Sequence, residues 1–264
     1  MICFMTDSDD KKINQSIIKA FKLLDVFTEE KKTWGVRELA QKTGYNKSTV
    51  YRLLFTLSSL NILHQNSNDK YSLGSKLFEL GNRVSIYKAI TNMTRTPLKH
   101  IALDIQETVL LSILKERQVF HIDKADSLHG LKINTSIGSY QPVHATASGK
   151  LLLSFLNIPE KEDIIDHTKF EPYTKSTITS KSKLLAELTK IKHQEYALDI
   201  EELETGLVCI AIPVRNKKGH VIASLSASGP LSRFKMENIT NYITILNKGM
   251  KDIESAFYDF DKLP

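Results

Sequence analysis

The sequence predicts an α+β protein of two domains, and three observations lead to this prediction. Its 264 residues correspond to about two domains of ordinary size. The first quarter follows a helix–helix–turn–helix–hairpin pattern, and from Met93 onward short strands alternate with helices. With 41% hydrophobic and 25% charged residues, the chain has a globular composition, which excludes disordered, collagen-like and coiled-coil proteins.

The first three elements are predicted to be helices, because apolar residues recur at three- and four-residue spacing. Asn14 or Ser16 is suited to cap the first helix. Gly44 suits a left-handed end of the second helix, and Asn61 suits the same role after the third. The predicted helices cover residues 13–27, 36–43 and 47–60.

A hairpin completes this pattern, with strands at 62–65 and 70–73 around the turn-rich residues 66–69. The whole is typical of a winged helix-turn-helix, in which the third helix enters the DNA major groove and the wing contacts the backbone. A small helical dimerisation module is the alternative. Side chains that suit phosphates or base edges make up the candidate DNA-binding set, namely Lys47, Ser48, Thr49, Tyr51, Arg52, Thr56, Asn66, Asn68 and Lys70.

Basic charge is concentrated in the same segment. The chain has 36 Lys and Arg against 30 Asp and Glu, a net charge of +6. Residues 11–76 hold twelve basic and five acidic residues, a net of +7, whereas the residues from 77 onward hold 24 and 22, a net of +2. No acidic residue occurs between Leu39 and Asn68. Such a surface favours nucleic acid, although a merely solvated face is the simpler alternative.

The next segment, residues 74–89, is predicted to be a single helix with a narrow apolar stripe of Leu77, Leu80, Val84 and Tyr87. Such a stripe suits either a linker helix that pairs with a second subunit or a helix packed on its own chain. The predicted domains are therefore a DNA-binding domain at 11–76, a linker helix at 77–92 and a larger domain at 93–264.

The larger domain is predicted to combine helices with an antiparallel sheet, as α+β ligand-sensing domains do. Pro97 is expected in the first turn of its first helix. The predicted helices cover residues 93–105, 144–156, 160–167, 181–195 and 236–257. The predicted strands cover residues 108–114, 119–124 and 208–214, then 220–227, with a possible further strand at 131–133.

Several motifs carry a resemblance to a known family. They are the segment Lys-Ser-Thr-Val-Tyr-Arg-Leu-Leu at 47–54 and three further segments at 138–150, 196–214 and 226–230. In order and spacing they resemble the isocitrate-lyase-regulator (IclR) family from about residue 13 to residue 257. The resemblance implies a bacterial transcription regulator with an N-terminal winged helix for operator DNA and a C-terminal GAF/PAS-like effector domain. It also implies dimers or dimers of dimers, many of them repressors.

The chain departs from the family pattern at five positions. Asn46 stands where Pro is frequent, Asn61 where Gly is frequent and Glu195 where Gly is usual; these are expected to be tolerable backbone changes. Ile200 replaces a frequent acid and Val208 a frequent Arg. The last two lie in or beside the segment expected to form the effector site, so they bear on which effector binds.

The effector site is expected where a helix amino end, near Ala147 and Ser148, offers N–H groups to an anion. Ser226 and Ser228 are two apart on a predicted strand and should share a face. Hydroxyls, amides and one or two carboxylates suit a small organic or sugar acid with a hydroxyl or keto group. The resemblance implies effector contacts for most of the candidate set, which is Ala147, Ser148, Asp199, Glu201, Leu207, Cys209, Ser226 and Ser228.

Simpler alternatives remain for these residues. A strand serine is often a satisfied core hydroxyl, and Asp199 is also suited to cap a turn. Cys209 is predicted to be a buried, inert thiol rather than a redox switch. Three further residues, Ile133, Gln141 and Val143, are candidates for a wall that sets the ligand's shape.

An enzyme with a DNA-binding arm is the alternative function. His144 would be its candidate base, although a hydrogen bond that orders a loop explains this residue more simply. The sequence contains no Gly-x-Ser-x-Gly or His-Glu-x-x-His motif, and its eight histidines are scattered, so no catalytic residue, metal or cofactor is expected. Two cysteines, no long apolar run and no signal-peptide pattern indicate a cytoplasmic protein.

Overall fold

The computed structural model describes residues 13–28, 30–129, 135–258 and 260. The chain divides into two compact units, Met1–Ser85 and Ile86–Pro264, and the division lies within the predicted linker at 77–92. The strand suggested at 131–133, and with it Ile133, lies outside the described residues.

The first unit contains four helices and a two-stranded antiparallel hairpin among its described residues. Leu39 of the second helix and Val50 and Leu54 of the third are buried together, so the helix-turn-helix angle is set by packing. The elements are α1 (Gln15–Leu24), α2 (Val36–Thr43), α3 (Lys47–Ser59), β1 (Leu63–Gln65), β2 (Tyr71–Leu73) and α4 (Ser75–Gly81).

Local signals set the ends of these helices as predicted. The Asn14 side chain accepts hydrogen bonds from the amides of Ser16 and Ile17 at the start of α1. Gly44 has φ 73° and ends α2 by donating its N–H to the Ala40 carbonyl.

The three backbone departures from the family pattern each adopt the conformation of the residue they replace. Asn46 has φ −61° and ψ 143°, which a proline also adopts. Asn61 and Glu195 are left-handed, with φ of 56° and 60°. Asparagine tolerates this conformation well, but glutamate does so at a cost in free energy.

The wing is tied to the segment between α1 and α2. The main chain of Trp34 pairs with Tyr71 through two hydrogen bonds of 2.9 and 2.8 Å, which adds a third strand-like segment to the hairpin. The Lys31 ammonium lies 3.7 Å from the centre of the Trp34 ring. The base of the wing is thereby fixed relative to α2.

The predicted continuous helix at 74–89 and the helix start at 93 are wrong. Helix α4 ends at Gly81, where the main chain and side chain of Asn82 both donate to the Phe78 carbonyl. Helix α5 then runs unbroken over Ser85–Ile105, with Pro97 inside it. Glycine and asparagine are poor helix formers, and burial of the α5 face compensates for the single hydrogen bond that proline cannot make.

The second unit contains an antiparallel sheet of six strands in the order β5-β4-β3-β8-β7-β6 among the described residues. A short 3-10 turn at Met236–Asn238 precedes its last helix. Its strands are β3 (Thr108–Lys115), β4 (Gln118–Ala125), β5 (Tyr140–Gln141), β6 (Ala197–Ile200), β7 (Leu207–Arg215) and β8 (Val221–Pro230). After α5, its helices are α6 (Ala147–Phe155), α7 (Ile158–Asp166), α8 (Lys181–Gln194) and α9 (Ile239–Phe257).

The two faces of this sheet differ in chemistry. One face packs on α5 and α9 and is apolar, as Val208, Ile210 and Ile212 of β7 illustrate. The other face is covered by α6 with α8 behind it, and there the alternating residue Cys209 is flanked by polar side chains. Helix α6 begins at Ala147 rather than at the predicted residue 144, because the Thr146 side chain caps it. The sheet thus brings its polar side chains to the amino end of α6.

Candidate functional site

The nine candidate DNA-binding residues lie on α3 and the wing. All are exposed except Thr49, which is half-buried. Asn66 is committed to the wing itself, since its Oδ1 accepts the amides of Asn68 and Lys70 at 3.0 Å each. The Thr56 hydroxyl donates to the Arg52 carbonyl at 2.9 Å, so its oxygen remains able to accept. The other side chains are placed to reach outward.

Two features modify this surface. Thr49, Arg52 and Thr56 border a groove towards α1 that also exposes Ile17 and Phe21, so they lie at one edge of the α3 face. On the wing side, the Lys70 ammonium lies 3.9 Å from Glu38, whose carboxylate also binds Lys31 at 2.8 Å. The hydrogen bond from Lys31 is the main reason that the pKa of Glu38 is lowered.

A narrow cavity lies between the amino end of α6 and the sheet; we call it the inner cavity. Its volume is about 20 Å³, enough for a single water molecule. Seven of the eight candidate effector residues line it, together with the suggested wall residue Gln141. The seven are Ala147, Ser148, Asp199, Leu207, Cys209, Ser226 and Ser228.

Strand register explains why these residues converge. Asp199 of β6 pairs with Cys209 of β7, which pairs with Ser228 of β8. Ser226, two residues earlier on β8, lies on the same face and is flanked by Ala211 and Leu110. A row of polar side chains therefore crosses the sheet beneath α6.

Helix α6 supplies donors at the other side of the inner cavity. The Thr146 hydroxyl accepts the Gly149 amide at 3.1 Å, and the amides of Ala147 and Ser148 belong to the first turn, where no intrahelical partner exists. A Cβ at Gly149 would lie 2.4 Å from the Val143 carbonyl oxygen, so only glycine permits this close approach. The Ser148 hydroxyl oxygen accepts a 2.9 Å hydrogen bond from Ser224, which leaves its own hydrogen available.

Asp199 is fully buried and only half satisfied. Its Oδ1 accepts the Glu202 amide at 2.7 Å, whereas its Oδ2 has no hydrogen-bond partner among the described residues. Burial raises the pKa of Asp199 to about 7; the nearby Glu202 carboxylate adds to this, whereas the Glu202 amide and Lys150 oppose it. Near neutral pH the carboxyl is therefore able to donate or to accept a hydrogen bond.

Cys209 is half-buried rather than buried, because its side chain borders the inner cavity. Burial first, and then the negative charge of Asp199, raise the pKa of this thiol well above its usual value. It therefore stays protonated and is a poor nucleophile, as predicted for an inert thiol.

Glu201 is the predicted effector residue that does not line the inner cavity. Strand β6 ends at Ile200, and Glu201 is left-handed with φ 56°, so the alternation that would have aligned it with Asp199 is broken. Its Oε1 accepts the Gly206 amide at 2.7 Å and holds the following turn. Val143, suggested as a further wall residue, does not line this cavity and packs in the core beside α6.

Sequence reasoning missed several residues of the site. Lys150, which is 1% exposed, forms a buried ion pair with Glu202, and the Glu202 Oε2 has no partner among the described residues. His121 of β4 lines the inner cavity; its Nδ1 is 2.8 Å from the Ser112 hydroxyl, and within the described ranges its Nε2 has no partner with full hydrogen-bond geometry. Burial lowers the pKa of His121 to about 4. In the sequence, Lys150 is marked merely as a lysine near a helix start and His121 as a histidine in a predicted strand, and neither signal indicates a binding site.

His144 orders a loop. Its Nε2 lies 3.1 Å from the Glu171 carbonyl oxygen, and its ring packs against the rings of Phe170 and Tyr173. Burial lowers the pKa of His144. This arrangement agrees with the simpler of the two interpretations, an ordering hydrogen bond rather than a catalytic base.

The described part of the chain offers no cluster of three His, Cys, Asp or Glu side chains that could hold a metal ion. Within the same ranges, no helix has the length and apolar character needed to cross a membrane.

Two family models match the two units. The model described as the IclR helix-turn-helix domain matches residues 16–67, and that of the bacterial transcriptional regulator IclR C-terminal region matches residues 85–255. Among curated proteins, the transcriptional regulator KdgR of Dickeya chrysanthemi is 36% identical over 248 residues, which cover 93% of this chain and 81% of that protein.

Solved structures share the fold over nearly the whole chain. The IclR protein of Thermotoga maritima has a TM-score of 0.71 at 28% identity, covering 91% of this chain and 97% of that one. An IclR homologue from Microbacterium hydrocarbonoxydans, solved with 4-hydroxybenzoate, has a TM-score of 0.80 at 21% identity, covering 92% and 98%. The relatives are named as regulators, which favours a regulator over an enzyme. With the winged helix, the capped α6 and both family models in agreement, the chain belongs to the IclR family of bacterial transcriptional regulators.

Proposed function

We propose that the protein is a cytoplasmic repressor whose binding to operator DNA is controlled by a small organic or sugar acid. The unpartnered Oδ2 of buried Asp199 carries the effector part of this proposal. A buried acceptor without a partner costs free energy, so its retention points to a ligand that satisfies it. The effector would bind in the inner cavity of the second unit.

The lining of the inner cavity indicates the chemistry of the ligand. First-turn amides at Ala147 and Ser148 suit a carboxylate, because the helix dipole adds to their hydrogen bonds. Asp199 and the Ser228 hydroxyl, which lie in one row of the sheet on either side of Cys209, suit a hydroxyl or keto oxygen. The 4-hydroxybenzoate bound by the Microbacterium homologue is likewise a small carboxylic acid with a hydroxyl group.

A thermal-shift screen of small carboxylic acids tests the effector part. Lactate, gluconate and 4-hydroxybenzoate present one carboxylate with different hydroxylated frames. An acid that binds should raise the melting temperature, and Ser228→Ala should remove that shift while operator binding is retained. A variant that loses both activities would be misfolded, and turnover of the bound acid would favour the enzyme alternative.

The α3 surface supports the DNA part, since Lys47 and Arg52 are exposed on it without an acidic residue between residues 39 and 68. Arg52→Ala should weaken operator binding and make the slope of log K against log salt less negative by about 0.9, the value for one phosphate contact. Lys190→Ala, which removes an exposed cation of α8, is the matched control. An unchanged slope for Arg52→Ala would contradict the assigned DNA surface.

We further propose a homodimer or a dimer of dimers on a pseudo-palindromic operator, with half-sites about 34–36 Å apart or a multiple of this. Exposed apolar residues on and after α4 support pairing between subunits, because Phe78 is 76% exposed and Leu80 and Val84 are each 44% exposed. Footprinting upstream of the protein's own coding region should show two protected half-sites. A single protected half-site would argue against the dimer.

A further inference from the structure

The inner cavity is too small for the ligand that its chemistry suits. Its 20 Å³ holds one water molecule, whereas any hydroxylated carboxylic acid is several times larger. An effector therefore needs both a route into this cavity and a side chain that gives way.

A larger depression adjoins the inner cavity; we call it the outer cleft. Its volume is about 640 Å³, and it lies between the β3–β4 turn, β5 and the segment 164–173. Its lining is polar and aromatic, including Arg117, Gln118, Tyr140, His144 and Tyr173. Arg117 is already paired with Asp163 through two hydrogen bonds of 2.8 and 3.1 Å. The cleft is therefore polar, but its arginine is not free to bind an anion strongly.

Gln141 is the one described residue that lines both the inner cavity and the outer cleft. It belongs to β5, an edge strand of two residues that pairs with β4 and with no other described strand. Its Nε2 reaches the Thr135 hydroxyl at 3.4 Å, near the limit for a hydrogen bond. The side chain between the two spaces is therefore weakly held.

On the inner side, Gln141 faces a polar atom that needs a partner. The ring of His121 is oriented by Ser112, and its Nε2 has no partner with full hydrogen-bond geometry among the residues that the structure describes. A hydrogen-bonding interaction with the Gln141 amide opposes the effect of burial on the pKa of this imidazole, so a ligand hydroxyl would take the place of that amide when Gln141 moves aside. Because the ring is neutral at physiological pH, it suits a hydroxyl better than a carboxylate.

We propose that the outer cleft is the entrance to the effector site and that Gln141 is its gate, which moves aside so that a hydroxylated carboxylic acid can enter and place a hydroxyl on His121. This inference rests on the proposed function for the nature of the ligand. The gate itself depends only on the position of Gln141 between the two spaces. His121 becomes a residue that selects effectors with a hydroxyl remote from the carboxylate.

Access of a small reagent to the inner cavity can be measured without any effector, because the Cys209 thiol borders this cavity. In a Cys3→Ser background of the full chain, the rate of Cys209 alkylation by iodoacetamide is measured at one fixed alkaline pH by mass spectrometry. Gln141→Ala should raise this rate by about fivefold, the kinetic equivalent of one weak hydrogen bond. Gln141→Trp should lower it, and His167→Ala, in the outer cleft, should leave it unchanged.

The opposite directions expected for the two Gln141 variants separate gating from loss of stability, since a merely loosened fold would speed both reactions. Equal rates in the parent, Gln141→Ala and Gln141→Trp would overturn the gate. If acids bind in the thermal-shift screen but the Gln141 variants alkylate Cys209 at the parent rate, the gating role of Gln141 is refuted and the proposed function is retained. Opposite rate changes with no acid bound would support the gate and count against the proposed effector class.

Discussion

Replacing Asp199 by Asn should stabilise the second unit. The carboxyl is fully buried, its Oδ2 has no partner among the described residues, and its pKa is raised from 3.8 to about 7. The folded protein thus holds this proton more tightly than the unfolded chain does, and ionisation of Asp199 opposes folding. Asparagine keeps an oxygen for the Glu202 amide but cannot ionise.

The size of the effect follows from this pKa difference of about three. Below about pH 4 the carboxyl is protonated in both states, and the two proteins should differ little in stability. As the pH rises towards 7, ionisation of the unfolded chain costs the wild type an increasing part of its stability. Above pH 7 the difference levels off at about 4 kcal/mol in favour of Asp199→Asn.

Urea unfolding of the full chain at several pH values between 5 and 8, followed by circular dichroism, measures this difference. It should grow by roughly 2–3 kcal/mol across that range. Trp34, the single tryptophan, lies in the first unit, so its fluorescence transition serves as an internal control. Asp123→Asn is the matched variant and should destabilise, because both oxygens of Asp123 already accept hydrogen bonds, from Thr94 and the Lys124 amide. A lower stability of Asp199→Asn than of the wild type at pH 8 would refute the reasoning. A difference in unfolding free energy between the two proteins that is the same at every pH would also refute it.

Two further substitutions test buried charge and backbone strain. Lys150→Met leaves Glu202 buried without its cation and should lower the free energy of unfolding in urea by about 3–5 kcal/mol. The double variant Lys150→Met with Glu202→Leu should recover most of this loss. Losses that simply add in the double variant would contradict the coupling between the two side chains. Glu195→Gly should raise stability by about 1 kcal/mol, because relief of the left-handed conformation outweighs the exposed ion pair with Arg215 at 2.6 Å. Glu195→Ala keeps the strain and loses the pair, so it should be the less stable of the two, and the reverse order would exclude this explanation.

Local chemistry made the fold largely predictable. Gly44 and Asn61 mark helix ends because few residues adopt positive φ easily, and alternation marked the paired strands. The prediction of a continuous linker helix failed because local signals and packing pointed in different directions. The apolar stripe predicted a helix through residues 81 and 82, but Gly81 and Asn82 end α4 there. Pro97 lies inside α5 because the helix face around it packs against the sheet.

The candidate effector site was predictable only where motifs marked it. Asp199, Cys209 and Ser228 lie in segments that resemble the family, and strand register then joins them. Lys150 and Glu202 are 52 residues apart, and no periodicity links a helix start to a turn after a strand. Glu201 shows the opposite error, since alternation was extended one residue beyond the end of β6.

The asymmetry of the sheet explains why the candidate site costs folding free energy. On β7, Val208 and Ile210 face α5 and α9 and need no polar partner, while Cys209 between them lies on the opposite face beside its cross-strand partner Asp199. A sheet selected for stability alone would be apolar on both faces, because buried polar groups without partners oppose folding. The protein instead keeps, among its described residues, a carboxylate oxygen and an imidazole nitrogen without full hydrogen-bond partners around one small cavity. A ligand whose hydroxyl groups reach both atoms would recover free energy that folding alone leaves unused.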